Sequence, residues 1–123
     1  MANEITLTVA MERRHATNTG DTHVFPSFRK QYDQSATGQD DRKHTIGTTE
    51  ESISFTDIST NGFMLMQNLD TTNYVQWGFS TGVYGGRIKA GETAGPFRAE
   101  PGATLYLKAN AASCRVRIIH YEN

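Results

Sequence analysis

The stretch "EITLTVAM" sets Ile5, Leu7, Val9 and Met11 on one side of an extended backbone and Thr6, Thr8 and Ala10 on the other. A two-residue period predicts a half-buried strand, because successive strand side chains point to opposite faces. The pattern returns in "SCRVRIIHY", where Cys114, Val116 and Ile118 oppose Arg115 and Arg117. It returns again in "ATLYLKA", where Leu105 and Leu107 oppose Thr104, Tyr106 and Lys108, and in "ESISF" through Ile53 and Phe55. "GFMLMQNL" and "YVQWGFS" are apolar on both sides, as expected of strands covered on both faces. No window of a dozen residues carries a helical stripe.

Turn signals separate these runs at Asn61-Gly62, Asp70-Thr71-Thr72-Asn73, Thr81-Gly82, Ala90-Gly91 and Pro101-Gly102. At Pro101-Gly102 a type II turn is expected, with Pro presetting φ and Gly accepting a positive φ. Strands at roughly ten-residue spacing predict an all-β fold. The expected architecture is a single antiparallel β-sandwich over residues 1–123, jelly-roll-like, with about eight strands. Two polar stretches, "HATNTGDTHVFPSF" (15–28) and "QSATGQDDRKHTIGTTEE" (34–51), are expected as long loops in the N-terminal half. A strand fragment or two is expected between them, near Phe28–Tyr32 and His44–Ile46. Pro26, with no N–H to donate, belongs at an edge or in a loop. Gly85 and Gly86 mark a bulge or a close backbone approach.

Charge narrows the function. Twelve basic and thirteen acidic residues give a net charge of −1 over 123 residues. Residues 1–60 carry six basic and nine acidic side chains, and residues 61–123 carry six and four. That mild split suits oriented self-association and lacks the basic footprint of a nucleic-acid binder. Cys114 is the one cysteine, so no internal disulfide forms. "MANEITLTVAMERRH" has no basic region leading into an apolar run, and no apolar stretch approaches the ~20 residues needed to cross a bilayer. Synthesis and folding in a cytoplasm, with no membrane partner, are expected.

Candidate chemistry does not converge. Cys114 and His120 lie six residues apart on one predicted strand, about 20 Å at ~3.3 Å per residue, too far to act as nucleophile and base. Cys114 reads as a small buried residue and His120 as a surface or edge histidine. Asp21 with His23, and Asp40 with Asp41 and His44, offer too few local ligands for a metal. "STGVYGGRIKAG" has glycines but neither a phosphate-loop lysine nor a following helix. Adjacent Glu50 and Glu51 point to opposite faces of a strand. No catalytic, cofactor or metal residue is assigned, and no enzyme activity is expected. Trp77 with Tyr74, Phe79 and Tyr84 either forms a sugar-stacking platform or packs inward with Val75; core packing is favoured. A cupin-type enzyme would need a histidine cluster, whereas His15, His23, His44 and His120 are scattered. The candidate partner-interface residues are Arg13, Arg14, Tyr74, Tyr84, Arg98, Tyr106, Arg115 and Arg117.

The motifs "IGTTEESI", "NGFMLMQNLDTTNYVQWG", the "KAGE" turn and "ATLYLKA" followed by a last short strand carry a resemblance. Over roughly residues 44–123 the chain resembles small virion structural proteins of tailed bacteriophages, with a looser match in "EITLTVAMERR" and "QYDQSATG". The resemblance implies a non-enzymatic β-sandwich in the virion. A capsid decoration (cement) protein binding the outside of the head comes first; a neck, tail or tail-fibre component and a carbohydrate-binding module are the alternatives. It further implies the major capsid protein or other virion subunits as partners, and symmetric self-association, with a trimer as one candidate. It brings no catalytic residues and no cofactor.

Overall fold

The computed structural model describes residues 5–14 and 22–123, which form ten strands and no helix. The chain divides into two compact units, 1–35 and 36–123. The sandwich therefore belongs to the second unit, and the first has a sheet of its own.

In the first unit, β1 (Ile5–Arg14) pairs antiparallel with β2 (Thr22–Tyr32) as a two-stranded ribbon. Much of the expected 15–28 loop is thus strand; its residues 15–21 lie outside the described residues. Pro26 sits inside β2, where the register shifts: Val9 opposes Phe28, yet Met11 opposes Phe25. One residue on β1 faces two on β2, a bulge that accommodates a proline without an N–H.

In the second unit eight strands form two four-stranded antiparallel sheets. These strands are β3 (Gln39–Ile46), β4 (Glu51–Ser52), β5 (Phe63–Asn68), β6 (Val75–Gly78), β7 (Gly86–Ile88), β8 (Thr93–Arg98), β9 (Tyr106–Ala109) and β10 (Cys114–Tyr121). One sheet has the order β3-β10-β5-β8 and the other β4-β9-β6-β7. The second long loop, 34–51, is also a correction, because β3 occupies eight of its residues. Most of β3 carries no apolar alternation, because its inward row runs Asp40, Arg42, His44 before ending on the core residue Ile46.

The alternating rows meet in one core. Met64, Met66, Val75, Ile88, Leu105, Leu107, Val116 and Ile118 are buried, with Phe55, Trp77, Phe79 and Phe97 packed against them. Cys114 closes one end and is buried, as expected. Asn68, also buried, donates its amide to Asn73 C=O at 2.9 Å and Ile88 C=O at 3.0 Å. Its Oδ1 accepts from Asp70 N–H at 2.9 Å. The Asp70 carboxylate takes the N–H groups of Thr72 and Asn73, which closes the predicted turn. At Pro101-Gly102 the turn is closed by Ala103 N–H donating to Glu100 C=O at 3.0 Å. Positive φ falls at Gly82, Gly91 and Gly95 instead of Gly102, so this turn is not type II.

Gly86 is the close approach that the glycine pair predicted; Gly85 borders open space. Gly86 opposes Trp77 across the β6–β7 ladder, and a Cβ there would fall 2.2 Å from the indole ring. The ring cannot retreat, since it stacks on Phe97 at 5.3 Å and meets Phe79 edge-on at 6.0 Å. Gly86→Ala is therefore expected to destabilise the sandwich by about 1–3 kcal/mol, as overpacking does. Urea unfolding followed by Trp77 fluorescence measures it.

Candidate functional site

Of the eight residues proposed for an interface, Arg13 and Arg14 lie in the first unit and the other six in the second. In the second unit most already serve their own chain. Arg117 makes a bidentate pair with Asp41, at 2.9 and 2.7 Å. That pair raises the guanidinium pKa and lowers the carboxyl pKa. Arg98 lies over the Phe63 ring at 4.4 Å and donates to Asn123 Oδ1 at 2.6 Å. The Tyr74 ring sits 4.0 Å beneath the Arg87 guanidinium. The Tyr84 hydroxyl donates to Glu50, which also accepts from Gly82 N–H at 2.7 Å. Glu50 pushes the Tyr84 phenol up to about 12. Tyr106, on β9, is half-buried opposite Ser52 and Gly78. Arg115 is exposed on β10. Arg13 and Arg14 belong to the ribbon, where both are exposed and Arg14 donates to Glu12.

Asp40, Glu122 and His120 are buried, and each accepts a hydrogen bond from the backbone. Asp40, 4 % exposed, accepts from Arg42 at 2.8 and 2.9 Å and from Thr56 N–H at 2.6 Å. Burial alone would raise its carboxyl pKa, but these donors outweigh that and hold it below the ordinary value. Glu122 accepts from the Ser59 hydroxyl, Ser59 N–H at 3.2 Å and Gly38 N–H at 3.1 Å, with its pKa lowered first by the Ser59 hydroxyl. Reading His120 as a surface residue is corrected: it is fully buried. Its Nε2 accepts from Gly62 N–H at 3.2 Å, so in the neutral ring the proton lies on Nδ1. The Phe55 ring meets it edge-on at 4.4 Å. Together these contacts pin the segment 54–62 against β3 and β10. Asp40 and Asp41 point to opposite faces and serve different arginines, so they share no ion. Among the described residues no three His, Cys, Asp or Glu side chains gather to hold a metal. Asp21 lies outside the described residues.

A different surface emerges on the ribbon. On β1, Ile5, Leu7, Val9 and Met11 share one face by parity. On β2 the bulge at Pro26–Ser27 brings Phe25 and Phe28, three apart in sequence, to that same face. Their rings meet edge-on at 6.1 Å. Met11 is 68 % exposed, Phe28 42 % and Phe25 37 %. Val24, on the other face opposite Glu12, is exposed as well. The first unit carries Arg13, Arg14, Arg29 and Lys30 against Glu4, Glu12, Asp21 and Asp33, four positive charges and four negative, a net of zero. What distinguishes the ribbon is the exposed apolar, partly aromatic row Met11, Phe25 and Phe28. Singly exposed apolar residues are ordinary on protein surfaces, whereas a contiguous row marks an interaction site. No protein-family model, curated protein or solved structure matches the chain.

The buried histidine sets a pH dependence. Burial lowers the His120 pKa below its ordinary 6.5, so below pH 6.5 the unfolded chain takes up a proton that the folded chain refuses. Stability is fully present above pH 6.5 and declines as pH falls, by at most about 1.4 kcal/mol per pH unit for this one group. His44, whose pKa burial also lowers, acts in the same sense. His120→Gln is expected to flatten the slope between pH 6.5 and 5, measured as urea midpoints across that range.

Proposed function

We propose that this protein is a non-enzymatic virion structural protein, a capsid decoration (cement) protein that binds the outside of a phage head and stabilises the shell. The apolar ribbon face is the contact element. The observation carrying this reading is the exposed row Met11, Phe25 and Phe28. The resemblance of residues 44–123 to phage virion proteins gives the setting. The strand orders give it a body: counting β3 to β10 as one to eight, they run 1-8-3-6 and 2-7-4-5. We read that order as a jelly roll, an architecture used by viral capsid proteins and lectins.

The physical logic is division of labour. The sandwich buries its own apolar residues and stays rigid, while the ribbon presents apolar area that gains stability only when something covers it. Many symmetric copies on a shell multiply a modest contact into substantial stabilisation. The part proposed for Arg13 and Arg14 is to steer the ribbon toward carboxylates on a virion subunit. No cofactor takes part. The sugar-binding alternative has less in its favour, because the Trp77 ring face is occupied by Phe97.

The test is reconstitution on heads lacking this protein. Wild-type protein is expected to bind in many copies per head, and Met11→Lys/Phe28→Lys to lower occupancy at least tenfold with the sandwich melting unchanged. Equal binding by the variant removes the ribbon from the contact. Six or twelve copies per particle place the protein at the neck or tail, and absence from purified virions rejects the proposal.

A further inference from the structure

We infer that β1 is a dimerisation edge: Ile5–Arg14 pairs antiparallel with β1 of a second copy across a two-fold axis, joining two ribbons into one four-stranded sheet. This goes beyond the shell-binding reading and does not depend on it.

The ribbon's sheet has two strands, so each has an outer edge that no ladder among the described residues uses. Such edges are templates for another strand, and proteins blunt those that must stay single. The two edges here differ. β2 is blunted by Pro26 and by the bulge beside it. β1 has ten residues with neither proline nor glycine, and its charges are confined to Glu12, Arg13 and Arg14 at one end. Among the described residues it is the edge left open.

Parity and charge select a second copy as occupant. A two-fold axis perpendicular to the sheet keeps both apolar faces on the same side only if opposed residue numbers sum to an even number. Centring the axis on Val9 or on Ala10 satisfies this and aligns nine residues of each strand. With Val9 at the axis, Leu7 opposes Met11 of the second copy and Thr6 opposes its Glu12. With Ala10 at the axis, Val9 opposes Met11 of the second copy and Thr8 opposes its Glu12. In both registers the arginines of the two copies stand at opposite ends, and no like charges face each other. Sliding the axis to residue 12 or 13 would oppose Glu12 to Glu12 or Arg13 to Arg13, which is unfavourable. The result suits the ribbon's own need, since an isolated two-stranded sheet is marginal in water and three or more strands with an apolar face are not.

The experiment combines mass and cross-linking. Light scattering on the full chain is expected to give twice the 13.7 kDa chain mass. In a Cys114→Ser background, Val9→Cys or Ala10→Cys is expected to form a disulfide-linked dimer under mild oxidation. Opposed Cα atoms in antiparallel pairs lie about 4.5–5.5 Å apart, within disulfide reach. Arg14→Cys serves as the control: its copies would lie roughly 27 Å or more apart at ~3.4 Å per residue. It is expected to link at least tenfold more slowly. A monomeric or trimeric mass overturns the inference. So does a linking rate at both Val9 and Ala10 no faster than at Arg14.

Discussion

A sheet of two strands is a single layer, and an apolar row on one of its faces has no facing layer within that sheet to cover it. In this protein the constraint falls on β1 and β2, whose shared face carries Leu7, Val9, Met11, Phe25 and Phe28 and whose outermost members stand exposed. Burying an apolar side chain contributes about 1.5–3 kcal/mol, so three together are comparable to the ~5–15 kcal/mol by which a small fold survives. A row of three such side chains left in water is therefore an unfinished contact. The bulge at Pro26 creates the row by turning Phe25 to the side of Phe28. Three residues apart on a regular strand, the two aromatics would point to opposite faces.

The second unit meets the opposite condition. Its two sheets cover each other, and its interior polar groups are mostly engaged. Asp40, Glu122 and His120 accept backbone N–H groups from 54–62, a segment with almost no ladder of its own. They take the place of strand pairing and fix the side of the sandwich where β4 is only two residues long. The same groups might be mistaken for an acid–base site because of their burial. Each is spent on holding backbone, which is why the functional reading moves from the sandwich interior to the ribbon surface.

What could be read in the sequence follows from the same physics. β1, β9 and β10 alternate openly because each has one apolar face and one polar face. β3 was hidden because most of its inward row is polar: Asp40 is satisfied by Arg42 and the Thr56 N–H, and only Ile46 joins the aliphatic core. β2 was hidden because the bulge breaks parity in mid-strand, so Val24, Phe25 and Phe28 fall at i, i+1, i+4, a spacing that does not alternate as a strand should. His120 was legible and misread: it continues the row Cys114, Val116, Ile118, whose parity places it inside. Arg98 and Arg117 looked available because their partners are remote in sequence. Asp41 meets Arg117 only once β3 lies beside β10.

The central claim is that order in the ribbon is supplied from outside it. Amide hydrogen exchange across Ile5–Arg14 and Thr22–Tyr32, measured on dilute protein and again on concentrated or shell-bound protein, tests this most directly. The account predicts fast exchange in the dilute ribbon and strong protection on association, with β5, β9 and β10 protected throughout. Equal protection of the ribbon under all conditions would contradict it.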